Sequence, residues 1–190
     1  EMVQDCNGLP EALFKAFTDA ISDHISDMFL NGVGTTEPTG LINLTGVNSV
    51  SAGALSDYEK LISGYVAVLE KAGQPSHVVL APREFGVLQN LKTAVGGDYL
   101  APPECIKDLT KVVTNHIPTD LGSGSESYAL IGGTFKNNCL VGFRQNIEIS
   151  ASENFKFAED HLSYKATVRY DIQTLYPELI AKLTGIVPAT

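Results

Sequence analysis

The residues Phe29–Leu41, FLNGVGTTEPTGL, bring three glycines, three threonines and one proline into a short span. Glycines at this density suggest a loop whose backbone N–H groups cradle a phosphate. Such a cradle needs G-x-x-x-x-G-K-[ST] after a strand and before a helix. Here the glycines follow a helical pattern, no lysine lies among them, and Glu37 would repel an anion. Gly32-Val33-Gly34 also lacks a third glycine in dinucleotide register. The spacing reads instead as a helix stop at Gly32. Left-handed turns are expected at Gly34 and Gly40, stiffened by Pro38.

The other chemistry-bearing residues are scattered. His24, His77, His116 and His161 have no histidine partner at i+4 and no H-E-x-x-H context, so each reads as a surface or satisfied core residue. Cys6, Cys105 and Cys139 form no C-x-x-C and have no zinc spacing with histidine. They read as ordinary thiols of a reducing compartment. Gly122-Ser123-Gly124-Ser125-Glu126 lacks the G-x-S-x-G of a nucleophile elbow. Glu148, Glu153, Glu159 and Asp160 gather near one turn. Paired carboxylates do acid–base work across a cleft, but nothing in the pattern supplies one, and solvated charge is the reading. No catalytic, cofactor-binding or metal-ligating residue is assigned.

The elements that must position these residues are legible in the hydrophobic periodicity. Leu13, Phe14, Phe17, Ile21, Ile25 and Met28 recur at helical spacing, predicting a long amphipathic helix over 10–31 that opens at Pro10. Asp19, Asp23 and Asp27 line its opposite face. Like charges at i, i+4 oppose a helix, so this face reads as solvated or as facing a basic neighbouring subunit. A second helix is expected over 57–72, with Ser56–Glu59 as a capping box and Gly73 as its stop. Its buried side would carry Tyr58, Leu61, Ile62, Tyr65, Val66 and Leu69. A third is expected from Pro82 to about Thr93, ended by Gly96-Gly97. Short strands are expected at 77–81, 111–114, 128–132, 138–143 and 147–150, with a loop over 119–127.

The segment 161–176, HLSYKATVRYDIQTLY, alternates strictly. Leu162, Tyr164, Ala166, Val168, Tyr170, Ile172 and Tyr176 take one face, and Ser163, Lys165, Thr167, Arg169, Asp171 and Gln173 the other. A strand of that length extends roughly 45–50 Å at 3.3 Å per residue. A compact chain of 190 residues has a radius of gyration of only about 16 Å. The protein is therefore expected to be elongated, with a one-sided sheet packed on the long helix. Glu178–Leu183 would close the chain as a short apolar segment.

Composition narrows the class. An apolar content of 44% against 18% charged is globular, not disordered. A net charge of −9 with no Lys/Arg run argues against general nucleic-acid binding. No run of about 18 apolar residues predicts a membrane-spanning helix, and no signal-peptide pattern opens the chain.

In this order and spacing, the motifs resemble the HK97-fold major capsid proteins of tailed bacteriophages. The carriers are Phe29-Leu30-Asn31-Gly32 leading to Gly34-Thr35 and Pro38-Thr39-Gly40-Leu41-Ile42, then Val79-Leu80-Ala81-Pro82, and Val112-Val113 before Ile117-Pro118. Ala129–Gly132 followed by Phe143-Arg144, and Phe157 through Tyr176-Pro177, complete the set across residues 10–185. The resemblance implies an α+β, HK97-like capsid fold. A peripheral P-domain (1–45 plus 145–176) would hold the long helix packed on a long-stranded sheet. A mixed α/β axial A-domain (46–144 plus 177–190) would surround the capsomer axes.

The implied function is a non-catalytic structural subunit that self-assembles into hexamers and pentamers of an icosahedral head. Its partners would be its own copies, and scaffold, portal or head-maturation protease. It would need no cofactor, membrane or specific nucleic-acid sequence. Its place would be the virion capsid, with assembly in the host bacterial cytoplasm. The family's N-terminal arm and extended E-loop have no counterpart in these motifs, so a truncated or trimmed core is expected. Some members crosslink subunits through a Lys–Asn bond assisted by a Glu. Here the Asn position holds Asp160 and the Glu position Thr167, so no self-crosslinking is expected. Two other functions compete: an encapsulin-type compartment shell that shares the fold, and a small α+β hydrolase, which would need a nucleophile–base pair.

Overall fold

Pro10 and a run of good helix formers start α1 (Leu9–Asn31). Its apolar stripe is only half-covered: Leu13, Phe17, Ile21, Ile25 and Met28 are partly buried, and Phe14 is 47% exposed. Full burial begins at Leu30, where the helix meets the body of the molecule. The computed structural model describes residues 9–93, 97–122, 124–133, 135–156 and 161–188.

After α1 come β1 (Asn48–Ala54), α2 (Glu59–Leu69), β2 (His77–Leu80), α3 (Pro82–Gln89), α4 (Glu104–Lys107), β3 (Thr110–Val113) and β4 (Ser127–Gly132). A short α5 (Phe135–Asn138), β5 (Cys139–Lys156), β6 (His161–Thr174), a 3-10 turn (Pro177–Leu179) and β7 (Ile180–Val187) follow. Five strands form one sheet in the order β1-β7-β4-β2-β3. The β1–β7 and β2–β3 pairs are parallel, while β4 runs antiparallel to both of its neighbours.

Strand periodicity divides the core in two. Val78 and Leu80 of β2 with Ala129 and Ile131 of β4 join Leu61 and Val68 of α2 on one face. Val79 and Leu130, one residue out of phase, join Leu30, Leu41, Ile42 and Ile117 on the other. A sheet buried on both faces reads as a near-continuous apolar run, which is what HVVLA and YALIG are. The chain's closing segment is therefore not peripheral: β7 lies inside this sheet, with Ile180, Ala181 and Leu183 fully buried.

Three local expectations are corrected. The capping box at Ser56–Glu59 does not form; instead Asp57 Oδ1 accepts the Glu59 N–H at 2.8 Å, an Asx turn. The buried side of α2 is rotated onto Leu61, Gly64 and Val68, leaving Val66 and Leu69 43% and 45% exposed. Gly64 explains the rotation: a Cβ there would lie 2.9 Å from Leu183 Cδ1 and 3.0 Å from Ile131 Cδ1, so the helix sits closest to the sheet where it has no side chain. The third helix ends at Gln89 and not near Thr93, with Leu91 and Lys92 leading away to the Lys92–Tyr99 bridge; Gly96 lies outside the described residues.

The second sheet is the β5–β6 ribbon alone, paired from Cys139↔Thr174 to Lys156↔His161. Expected strands 138–143 and 147–150 are one strand of 18 residues, extending about 60 Å. Irregularities between Phe143 and Gln145 and between Gln145 and Glu148 let the strand pass its polar interruption without ending. At its base Asn138 joins both strands: its Nδ2 donates to Tyr176 O at 2.9 Å and its Oδ1 accepts the Tyr176 N–H at 2.7 Å.

Candidate functional site

The glycine-rich loop closes back on the helix that precedes it. The end of a helix leaves four carbonyls without partners. Gly32 N–H donates to Met28 O (3.0 Å), Leu41 N–H to Phe29 O (3.0 Å) and Ile42 N–H to Leu30 O (2.9 Å). Asn43 Nδ2 donates to Asn31 O at 2.8 Å and to Gly32 O at 3.1 Å. Gly40 N–H is taken by Gly32 O at 2.8 Å. The N–H groups of Gly32, Gly40, Leu41 and Ile42 are thus spent on the protein's own carbonyls, so they cannot hold an anion.

Only Gly34 takes the expected left-handed backbone, at φ +76. Gly40 does not; it is required because a Cβ would fall 2.5 Å from both Leu30 O and Gly32 N. Gly32 is squeezed in the same way against the Pro38 carbonyl. Sequence reading placed the helix stop at Gly32 correctly, treated Gly40 as a turn-former, and passed over Asn43, whose side chain completes the closure. The loop's tip reaches the ribbon: Gly34, Glu37 and Thr39 share a groove with Asp171–Thr174. Burial, and then the Glu37 carboxylate, push the Tyr170 phenol above its ordinary range.

The acidic face of α1 is met in part within the chain. His116, on the segment after β3, places Nε2 3.2 Å from Asp23 Oδ1 and Nδ1 3.7 Å from Asp27 Oδ1. Asn31 Nδ2 donates at 2.6 Å to both Asp27 Oδ1 and His116 O. His24 lines the same cleft, whereas His77 bonds Ser76 Oγ through Nδ1 at 2.7 Å and meets the Phe135 ring edge-on. Among the described residues no three His, Cys, Asp or Glu side chains form a metal-holding group.

The remaining candidates stay apart. Gly122–Glu126 is a turn closed by the Leu121–Glu126 bridge, and Ser123 lies outside the described residues. Glu148 Oε2 accepts the Gln145 amide at 2.8 Å; Glu159, Asp160, Cys6 and the side chains of Glu153 and His161 lie outside the described residues. Cys105 and Cys139 are free thiols. Burial pushes the Cys139 thiol up, against a smaller lowering by Thr174.

Sequence reading missed a buried charge cluster. Glu84, 2% exposed, receives Arg83 Nε at 2.9 Å and the Ser127 hydroxyl on the same oxygen. Arg83 also donates to Thr119 O (3.3 Å) and Ser125 O (3.0 Å), pinning the 119–127 loop. Ser127 has no exposed surface, so it reaches no substrate. The signal was faint, because a Glu in the first turn of α3 reads as a surface residue.

A cleft of about 410 Å³ lies between α2, α3 and residues 99–106. Its Tyr58 hydroxyl is taken by Leu88 O, and its Lys111 ammonium by the carbonyls of Ile106, Lys107 and Leu109. What remains exposed in quantity is surface for packing: Val141 and Phe143 on the ribbon, and Leu175 and Tyr176 at its base, are 42–54% exposed.

Solved structures that this chain resembles include capsids and an encapsulin. The capsid of an empty GTA particle matches with TM-score 0.71 and 17% identity over 98% of this chain and 70% of that one. A Mycobacterium phage Ogopogo chain matches at TM-score 0.68 and 15% identity, over 93% and 68% respectively. The SrpI encapsulin of Synechococcus elongatus matches at 0.65 and 11%, over 98% and 70%. These identities establish the fold, the α+β HK97-like architecture, and no more. No curated protein matches the chain in sequence. The model of the phage capsid family matches residues 1–185, and the chain belongs to the phage capsid family.

Proposed function

We propose that this chain, a structural shell subunit by family, assembles with its own copies into hexamers and pentamers of an icosahedral phage head and catalyses nothing. The observation that carries this is the β5–β6 ribbon. A two-stranded ribbon is marginal alone in water, and this one leaves Val141 and Phe143 exposed beside a half-covered helix. Such a surface calls for protein neighbours. In this reading 1–45 plus 145–176 form the P-domain and 46–144 plus 177–190 the A-domain. The ribbon and α1 support the first, and the five-stranded sheet the second. β5 passes unbroken through the boundary at 144. Scaffold, portal and maturation protease would be its transient partners, and the virion its destination after assembly in the host cytoplasm.

The likeness to an encapsulin favours a second reading, a compartment shell around a cargo protein. Electron microscopy of the protein expressed alone tests the first proposal: rings or closed shells are expected, and a monodisperse monomer at every concentration overturns it. Nucleic acid in particles from the natural source supports the phage head, and a single enriched enzyme supports the compartment. With Asp160 and Thr167 at the crosslinking positions, denaturing gels of assembled particles should show no covalent ladder.

A further inference from the structure

The two faces of the ribbon differ, and the difference says where a neighbouring copy sits. In antiparallel pairing, opposed residues share a face. Tyr164 opposite Ala151 and Ala166 opposite Ile149 therefore lie on one side, and Lys165 opposite Ser150 with Thr167 opposite Glu148 on the other. The first side faces the chain's own helix: Leu13, Phe14 and Phe17 enclose a gap with Ile149 and Tyr164. The second side is a shallow trough lined by Gln145, Glu148, Lys165, Thr167 and Arg169, with Ile149 and Val168 also bordering it.

Five cations elsewhere have partners within the chain, while Lys15, Lys71, Lys107 and Arg144 have none among the described residues. Arg83 serves Glu84, Lys60 reaches Glu59, Lys111 caps three carbonyls, Lys92 lies over Tyr99, and Lys182 donates to Ile42 O. Lys165 and Arg169 are exposed and make no hydrogen bond or ion pair among the described residues. The acidic group on their face, Glu148, is already held by Gln145. Asp171, further along, accepts the Ile172 N–H.

Complementary charge is available on α1. Asp19 is exposed with no partner among the described residues, and Asp23 keeps 75% of its side chain exposed although one oxygen faces His116. These carboxylates cannot reach their own Lys165 and Arg169, because the ribbon lies between: α1 packs on one side and the cations project from the other. The pairing is available only between chains. We propose that the Lys165/Arg169 face of the ribbon docks against the Asp19/Asp23 flank of α1 of a second copy. This rests on the shell-subunit reading and adds to it which two surfaces meet. Opposite charges steer encounter and fix register, and the long stems of Lys and Arg can converge on two carboxylates one helical turn apart.

Charge exchange tests the contact in the 190-residue chain. Asp19→Lys/Asp23→Lys and Lys165→Glu/Arg169→Glu should each weaken self-association about tenfold at low salt, the scale of two exposed ion pairs. An equimolar mixture of the two should recover it, since each then offers the charge the other lacks. Asp19→Lys alone touches nothing in its own chain and should give a smaller loss in the same direction. Circular dichroism melts confirm that each variant is folded. Folded variants that sediment like the parent, or that fail to complement when mixed, overturn the contact while leaving the shell reading intact. A parent chain that never self-associates overturns the shell reading itself.

Discussion

Replacing Gly40 with alanine sets a methyl carbon 2.5 Å from Leu30 O and Gly32 N, both backbone atoms that cannot swing aside. The returning strand must then lift off the end of α1. Three backbone hydrogen bonds depend on its position: Gly40 to Gly32 (2.8 Å), Leu41 to Phe29 (3.0 Å) and Ile42 to Leu30 (2.9 Å). At about 1 kcal/mol net each they are worth about 3 kcal/mol. Leu41 and Ile42, 1% and 5% exposed, plug the second core cluster. Losing part of their burial adds about 1–2 kcal/mol. The total, about 4–5 kcal/mol, is a large share of a stability of about 5–15 kcal/mol.

The opposite sign follows if the close approach is irrelevant. Gly40 is not in the left-handed region, so alanine would then stabilise by about 0.4–1 kcal/mol through the unfolded chain. Gly53→Ala is the control, because Gly53 has φ +70 and open space around a Cβ. It should cost only left-handed strain, about 1–2 kcal/mol. Urea unfolding at constant m-value measures both. A Gly40→Ala midpoint at or above the parent's refutes the close-approach argument.

Other positions carry smaller tests. Ala72 holds φ 59 where the Gly73 N–H to Val68 O and Ala72 N–H to Leu69 O bonds close a Schellman turn, so Ala72→Gly should stabilise by about 1 kcal/mol and raise the melting midpoint by a few degrees. Arg83→Met leaves the Glu84 carboxylate buried without its cation and should cost about 3–5 kcal/mol, whereas Arg83→Met with Glu84→Gln should recover part of that in a double-mutant cycle. With its thiol pushed up by burial, Cys139 should alkylate at pH 8 more slowly in the folded than in the urea-unfolded chain; equal rates would contradict it. The sign for stability follows: an acid raised on folding contributes nothing adverse below the ordinary thiol range and erodes stability as pH climbs through it.

How much was legible depended on whether a pattern is local. Periodicity alone located α1, because a stripe at three and four residues has no other satisfactory conformation, and it located β6, because alternation over so many residues has only one. The apolar runs HVVLA and YALIG marked two strands, and the structure then showed both faces of each buried. Motif order carried the resemblance, and in this chain Gly32 and Gly40 are fixed by close backbone approach that needs no ligand.

Tertiary contact decided the rest. Whether a glycine is needed for its φ or for the space of its missing Cβ depends on what packs against it, so Gly40 was misread as a left-handed turn and the close approach at Gly64 went unread. Glu84 is buried because Arg83 and Ser127 converge on it from different elements. Segments 138–143 and 147–150 became one strand because β6 pairs across their polar interruption. Which side of that ribbon is free for a neighbour followed only from where α1 lies, a long-range packing choice that no local spacing encodes.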